Sequence, residues 1–422
     1  FGVACIAVAY YIAVTTQNPL KVLGMFFIAV VLVMIGTYLL FTAGSIALLK
    51  GLRSNKKFYY HPKHFAAVSG MIYRMKQNAA GLASICILST MVLVMVSMTV
   101  SMYAGVDDEL AARYPMETTL YTEYSDVNAL QEDLKNDVPA ENEKKIRKIL
   151  EDQKVFAENF RHYQYVHVLA VRDNADFTLA DRVSFDGQMS LVNLITRDSL
   201  IQMDDAFTET DVPKVPEGKV NIYASKEYDK DTVTLFGHSF PVADSHVFAS
   251  TQDNYMASML EDDYYVVVDS EETLQNLFAD AASIRGNQYN DVIGIDPAGT
   301  DEQKAAFGEA VRKQLVPSKE EQSDVKDYYV ESRQANRAEF FAIYGGFFFI
   351  GIYLGIIFLM VTVMIIFYKQ VSEGYEDKQR YEIMEKVGMS NREVKASIRS
   401  QVRIVFFLPL VTAAIHTLAA FP

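Results

Sequence analysis

The residues with the most obvious chemical capacity are four histidines, His162, His167, His238 and His246, set among 46 carboxylates between positions 105 and 338. Imidazole and carboxylate together bind zinc or move a proton during hydrolysis, but each task needs a fixed spacing. That stretch contains no His-Glu-x-x-His pair, no Gly-x-Ser-x-Gly elbow and no cluster of metal ligands. Its carboxylates are so many that accidental pairs are unavoidable, and none stands out. His61 and His64 have ligand-like spacing but lack a third ligand or a nearby acid, so they read as interfacial imidazoles. The chain also lacks a Gly-x-x-x-x-Gly-Lys-Ser/Thr phosphate loop and a Leu-Ser-Gly-Gly-Gln-like segment. We therefore expect no catalytic residue, no bound metal and no cofactor held by this chain.

The elements that carry these residues fall into two populations. Five stretches, 1–20, 22–49, 78–106, 340–368 and 404–422, have no formal charge. A helix rises ~1.5 Å per residue, so about 20 apolar residues cross a hydrocarbon layer ~30 Å thick. The block 105–338 has a net charge near −23, whereas the remainder is near +9. The expected fold is a polytopic α-helical membrane protein with five spans and a large mixed α/β extracellular domain between spans three and four. The boundaries are 1–49 for two membrane helices, 50–78 for a basic amphipathic segment and 79–104 for the third helix. The soluble domain covers 105–338, the fourth helix 339–369, a coupling element 370–400, and a truncated last helix 401–422. The chain begins and ends inside apolar runs, which we read as a fragment lacking membrane helices at both ends.

Orientation follows from positive charge. Lys50, Arg53, Lys56, Lys57, Lys63, Arg74 and Lys76 lie in one loop with no acid, which should face the cytoplasm. Alternation then puts the acidic block outside and 371–403 inside, as in a multi-pass protein of a bacterial plasma membrane. Phe65, Val68, Met71, Ile72 and Met75 form an apolar stripe, the pattern of a helix lying along lipid headgroups. Cys5 and Cys86 both fall in membrane segments, so the soluble domain has no disulfide. At about 230 residues it is large enough to fold without one.

Within the block, strand patterns occur at 165–171, 220–224, 232–236, 264–268, 291–295 and 328–331. Helical patterns occur at 127–135, 141–156, after Asp269 to about 282, and from a capping box at Thr300–Gln303 to Leu315. That alternation argues for a mixed α/β domain. Tyr121, Tyr124, Phe160, Tyr163, Tyr165, Tyr255, Tyr264, Tyr265 and Tyr289 have two readings: a surface for an amphipathic ligand, or ordinary core and strand filling. The domain's acidity would draw in cationic molecules at low salt. Glu339 and Lys369 at span ends, and His416 in the last segment, are the ionisable groups of the spans, and His416 is assigned no role.

The second loop carries the most specific pattern. Residues 375–387 read as a short helix with Ile383, Met384 and Val387 on one face, and Gly388 suits its left-handed stop. Ser390-Asn391-Arg392-Glu393 is a capping box that opens a new helix toward the membrane. The result is a helical corner, usable as a docking point for a soluble partner or as a plain connector.

The run Tyr381-Glu382-Ile383-Met384-Glu385-Lys386-Val387-Gly388-Met389-Ser390-Asn391-Arg392-Glu393-Val394 resembles the Glu-Ile-x-x-Leu-Arg/Lys-Ala-Ile/Leu-Gly-Met/Ala-Ser-x-x-Glu/Asp-Ile/Val pattern of FtsX-like ABC transporter permeases. Residues 401–410, with Phe406-Phe407-Leu408-Pro409-Leu410, and residues 71–83 resemble the bacitracin- and lantibiotic-resistance branch, the BceB type. Glu385-Lys386-Val387 departs from the family's Leu-Arg-Ala-like triplet.

The resemblance implies a permease of ten membrane helices, five of them here, working with a separate ABC ATPase subunit in two copies that uses ATP and Mg. It implies coupling to that subunit through Tyr381, Glu382, Ile383, Lys386, Val387, Gly388 and Met389. Peptide antibiotics, or their complexes with lipid-linked cell-wall precursors, would be the ligand. A sensor histidine kinase and membrane lipid would be further partners, and no nucleic acid is expected. The alternative is a receptor that senses an outside ligand with no ATPase.

Overall fold

The structure is a computed structural model that describes residues 1–15, 19–54, 62–180, 189–205, 207–247, 262–284, 286–318, 323–386 and 390–420. The chain forms two units. One is helical and comprises Phe1–Ala104 with Ile343–Pro422; the other is built on a sheet and comprises Gly105–Ala342.

Three stretches among the described residues are long and apolar enough to cross a membrane: Gly24–Gly44, Ala79–Ala104 and Arg333–Tyr375. Gly2–Thr15 and Phe406–Ala420 are apolar but shorter, so three of the five expected spans have the length. The helices Pro62–Ala104 and Arg333–Lys386 meet through Gly351 and Gly355. A Cβ on Gly351 would come 2.7 Å from Thr99 Oγ1, and one on Gly355 would come 3.1 Å from Val96 Cγ2. Small residues four apart let two backbones approach where no water is present to drive association. Phe41, Leu82, Ala83, Cys86 and Ala413 form a small core elsewhere in this unit.

His416 is buried in the same unit and ties three helices together. Its Nδ1 lies 2.5 Å from the Tyr10 hydroxyl and its Nε2 lies 3.1 Å from Thr37 Oγ1. Thr37 donates its own hydroxyl to the Val33 carbonyl at 2.7 Å, which leaves its oxygen to accept from Nε2–H. Tyr10 then donates to Nδ1, and a neutral ring meets every partner.

Among the described residues, the sheet unit contains ten strands: β1 Thr118–Tyr124, β2 Ala157–Asp173, β3 Asp176–Leu179, β4 Met189–Thr196, β5 Val220–Ala224, β6 Thr232–Leu235, β7 His238–Val247, β8 Asp262–Val268, β9 Gln288–Pro297 and β10 Lys326–Ser332. Their order is β10-β1-β9-β2-β3-β6-β7-β5-β8-β4, and β4 pairs back onto β2. The far half of β2 thus has partners on both edges: Ala170 sits opposite Ser190 of β4 and Leu179 of β3. Seven strands from β2 to β8 close a ring through the β4–β2 pairing, and β9, β1 and β10 extend from it as an antiparallel flap.

Apolar alternation decides what fills each side. Val166, Val168, Val192, Leu194, Ile222 and Val266 point into the ring, and Phe278 of helix Glu271–Ala281 joins them. On the flap, Leu120, Ile293, Ile295 and Val330 pack under helices Val138–Asp152 and Asp301–Leu315 through Ile146, Ile149, Phe307 and Val311. The capping box expected at Thr300 is present, with both Thr300 and Gln303 bonded to the opposing backbone N–H. The 269–282 helix opens instead on Ser270, whose hydroxyl accepts from the Thr273 N–H.

Candidate functional site

The expected coupling residues fall at the end of the Arg333–Lys386 helix and just beyond it. Tyr381, Glu382, Ile383 and Lys386 are helical. Val387, Gly388 and Met389, and with them the expected left-handed stop, lie outside the described residues. The short separate helix expected over 375–387 is not observed, because this stretch continues without a break from Arg333. Between Lys369 and Lys386 the weakest helix former is Gly374, and a single exposed glycine costs about 1 kcal/mol, too little to end a 54-residue helix.

The next helix begins at Asn391, with the Val394 N–H donating to the Ser390 carbonyl at 3.1 Å. The expected capping box also depends on Glu393, whose side chain lies outside the described residues. Glu382, Ile383 and Lys386 are exposed, and Ile383 shows 59% of its surface. An isoleucine so open at a helix end, flanked by an acid and a base, suits a partner surface with an apolar centre and a polar rim.

Beside it is an open hollow of about 580 Å³ lined by Gln370, Val371, Gly374, Tyr375, Lys378, Glu382 and Ile398. Of the expected coupling residues, Glu382 lines this hollow. Val371, Tyr375, Lys378 and Ile398 were not among them. Residues 371, 375, 378 and 382 recur at helical spacing on one face, a signal that becomes readable once the helix is taken as unbroken. Further along the same helix, Lys369 lies over Gly81, where a Cβ would come 2.6 Å from its Nζ, and Glu373 is buried one turn on.

The aromatic residues of the sheet unit divide between its faces. Tyr124, Tyr264 and Tyr289 are enclosed in the ring core, and Tyr163 and Tyr265 are buried under helix Arg197–Met203. Phe160 lies beneath the Arg147 guanidinium at 4.1 Å, and Tyr255 lies outside the described residues. The core reading therefore holds for most of the series. Tyr121 and Tyr165 are half-buried. Tyr121 stacks on Tyr329 across β1 and β10 at 4.8 Å, and Tyr163 stacks on Tyr165 at 6.2 Å. Glu123 accepts the Tyr329 hydroxyl at 2.9 Å on that face. Burial pushes the carboxyls of Glu123 and Glu331 above their ordinary range, with the Tyr329 bond and Arg113 respectively acting against it.

The four histidines are dispersed. His162 sits 2.9 Å from Asp291 and 3.5 Å from Glu143, His238 lies 2.9 Å from Asp280, and His246 lies 3.0 Å from Asp244. His167 faces Asn193 at 3.3 Å. Among the described residues, no three metal-ligating side chains converge.

No family model matches the chain. It is 22% identical, in a 432-residue alignment that covers all of it, to the ABC transporter permease protein YxdM of Bacillus subtilis (strain 168). An 89-residue stretch, 21% of the chain, is 30% identical to 14% of the uncharacterized ABC transporter permease YvcS of the same organism. The chain spans 61% of the length of YxdM. The likeness to an ABC transporter permease thus runs along the entire chain, and three of its described helices are long and apolar enough to cross a bilayer.

Proposed function

We propose that the chain is the greater part of a permease subunit that turns ATP-driven movement of a partner ATPase into movement of its sheet unit. The similarity to YxdM over every part of the chain carries this reading. The chain has no phosphate loop of its own, so two copies of an ABC ATPase subunit would supply ATP and Mg chemistry. They would press on the stretch 381–389 from the cytoplasm, with the exposed Ile383 at the centre of contact and Glu382 and Lys386 at its rim.

In this reading the sheet unit lies outside the cell and grips a peptide antibiotic such as bacitracin or a lantibiotic, or its complex with a lipid-linked precursor. Rings at Tyr121, Tyr165 and Tyr329 beside Glu123 and Glu331 would suit a cationic peptide. A sensor histidine kinase reporting on that grip belongs to the same proposal. The result would be export of, or protection from, such peptides.

The test is co-purification of the full-length protein from its native membrane. A nucleotide-binding subunit should come down with it, and Ile383→Asp should reduce its recovery at unchanged expression. Gly388→Val should leave insertion intact and separate ATP hydrolysis from protection. Full protection in a strain lacking the ATPase gene would favour the receptor instead.

A further inference from the structure

The chain enters the sheet unit through helix Val106–Arg113 and β1, and leaves it through β10 and the first turns of helix Arg333–Lys386. β1 and β10 are antiparallel neighbours, paired from Thr118 opposite Ser332 to Tyr124 opposite Lys326. Polar groups are concentrated where these four pieces meet. The Arg333 guanidinium donates to the Tyr114 carbonyl at 2.9 Å and to the Pro115 carbonyl at 2.8 Å, which occupies acceptors at the end of the incoming helix. The Arg333 backbone N–H donates to the Glu117 carbonyl at 2.8 Å.

Glu117 answers from the other side. Its side chain is 3% exposed, and its carboxylate accepts the Gln334 N–H at 2.9 Å, so it caps the outgoing helix. Its own N–H donates to Asp296 at 2.8 Å, and Asp296 accepts from Asn159 at 3.0 Å, which ties β9 and β2 to the same point. Below this, Arg337 reaches Asp107 at 3.0 and 3.3 Å and lies over the Phe341 ring, and Tyr114 meets Phe340 edge to face.

The two chain connections differ. The incoming chain breaks at Gly105, where φ is −89° and ψ 8° and no side chain caps the helix that follows. The outgoing helix has no break from Arg333 to Lys386.

We propose that Arg333 and Glu117 lock the incoming and outgoing strands into one rigid coupler, with Arg333 as the positioning residue and Gly105 as the pliable joint. The inference rests on the driven-motion reading above. A displacement of the long helix arrives first at Arg333, and the Tyr114 and Pro115 carbonyls it holds carry the incoming helix along with β10, to which β1 is already paired. The bend that this requires falls at Gly105, where one residue alone changes its backbone angles.

The experiment uses the full chain with its ATPase subunit in nanodiscs, compared without nucleotide and after trapping with ATP and vanadate. Hydrogen exchange is followed over 105–124, 326–342 and 343–386. In the unaltered complex, trapping should change exchange in all three. In Arg333→Gln, the change should persist over 343–386 and fall about tenfold over 105–115, at an unfolding temperature showing that the sheet unit is still folded. A second variant joins Asp107→Cys to Arg337→Cys through a short thiol crosslinker in a Cys5→Ser background, the sheet unit having no cysteine of its own. The linked clamp should respond to trapping as the unaltered complex does, since a coupler that never opens loses nothing by being tied shut.

Loss of the response on linking would overturn the proposal, as would an intact response over 105–115 in Arg333→Gln. If the unaltered complex shows no nucleotide effect in any of the three stretches, the driven-motion reading fails first and the coupler fails with it.

Discussion

In the sheet unit, Phe177, Phe278 and Phe307 are wholly enclosed, whereas in the helical unit Phe26, Phe349 and Phe367 keep more than half of their surface open. The same side chain plays opposite parts. In water, removing a phenylalanine ring from solvent is the main driving force, and a closed ring of strands with two helical covers accomplishes that removal. Among membrane helices the surroundings are as apolar as the side chains, so rings can face outward at no cost. Contact is decided instead where a side chain is missing, as at Gly351, or where a polar group needs a partner, as at His416. The comparison shows that exposed apolar surface in one unit and buried apolar surface in the other follow from a single rule applied in two solvents.

The largest effect should separate the units directly. Phe278→Ala is expected to cost the sheet unit about 4 kcal/mol, while Phe349→Ala should cost the detergent-solubilised protein less than about 1 kcal/mol. Denaturation followed separately in each unit measures both, and equal losses would break the comparison. Next comes the glycine seam. Gly351→Val drives a methyl into Thr99 and should destabilise the helical unit by about 1–3 kcal/mol. Gly346→Val, with nothing near its Cβ, should stay close to the parent. Thermal aggregation in detergent ranks the two, and a ranking with Gly346 the more sensitive would refute the seam.

A smaller effect is expected at the polar node. His416→Leu should cost about 1 kcal/mol. Once it is made, Tyr10→Phe should cost almost nothing, because its bond is already gone; additive losses would show that the two residues do not act together.

The smallest effect is a slope with pH in the sheet unit. Burial pushes the Asp263 carboxyl up to about 7, against bonds from the Tyr264 N–H and Asn193. A carboxyl that holds its proton more tightly when folded stabilises the fold fully below its unfolded pKa, and that contribution is lost as pH rises through about 7. His162 adds to the slope in the same direction. Burial lowers its pKa, but Asp291 and Glu143 outweigh burial and raise it, so its contribution also fades as pH rises through the folded value. Unfolding temperature should therefore fall from pH 6 to pH 8, and Asp263→Asn should flatten part of the fall. An unchanged slope in that variant would remove Asp263 from the account.

Legibility followed local signals. The Thr300 capping box, the helix Val127–Lys135 and the strand Val220–Ala224 were readable to the residue, because each is bounded by a cap, a charge change or a clean apolar run. β4 was not, since Met189–Thr196 is buried on nearly every side chain and its sequence shows no alternation. β1 was missed for the opposite reason: Thr118–Tyr124 is rich in threonine and carries a charge, and its burial comes from two neighbouring strands. At the candidate site the exposed Ile383 was legible as part of a family-like run. The hollow formed with Ile398 was not, because its walls are 16 to 28 residues apart in the chain. The helix seam at Gly351 and Gly355 was not read from the sequence, although two glycines four apart are a local signal for close helix approach.

The chain's order of charge and hydropathy by itself determined that there would be two units, where the acidic block begins and ends, and which stretches are apolar enough for a bilayer. Those properties are sums over neighbouring residues and need no partner to be read. The return of β4 to β2, the convergence of Tyr10, Thr37 and His416, and the lock between Arg333 and Glu117 were decided only by tertiary structure. Each joins residues between about 20 and 400 positions apart, and chain closure over such distances is fixed by packing and hydrogen-bond geometry, which no local pattern encodes.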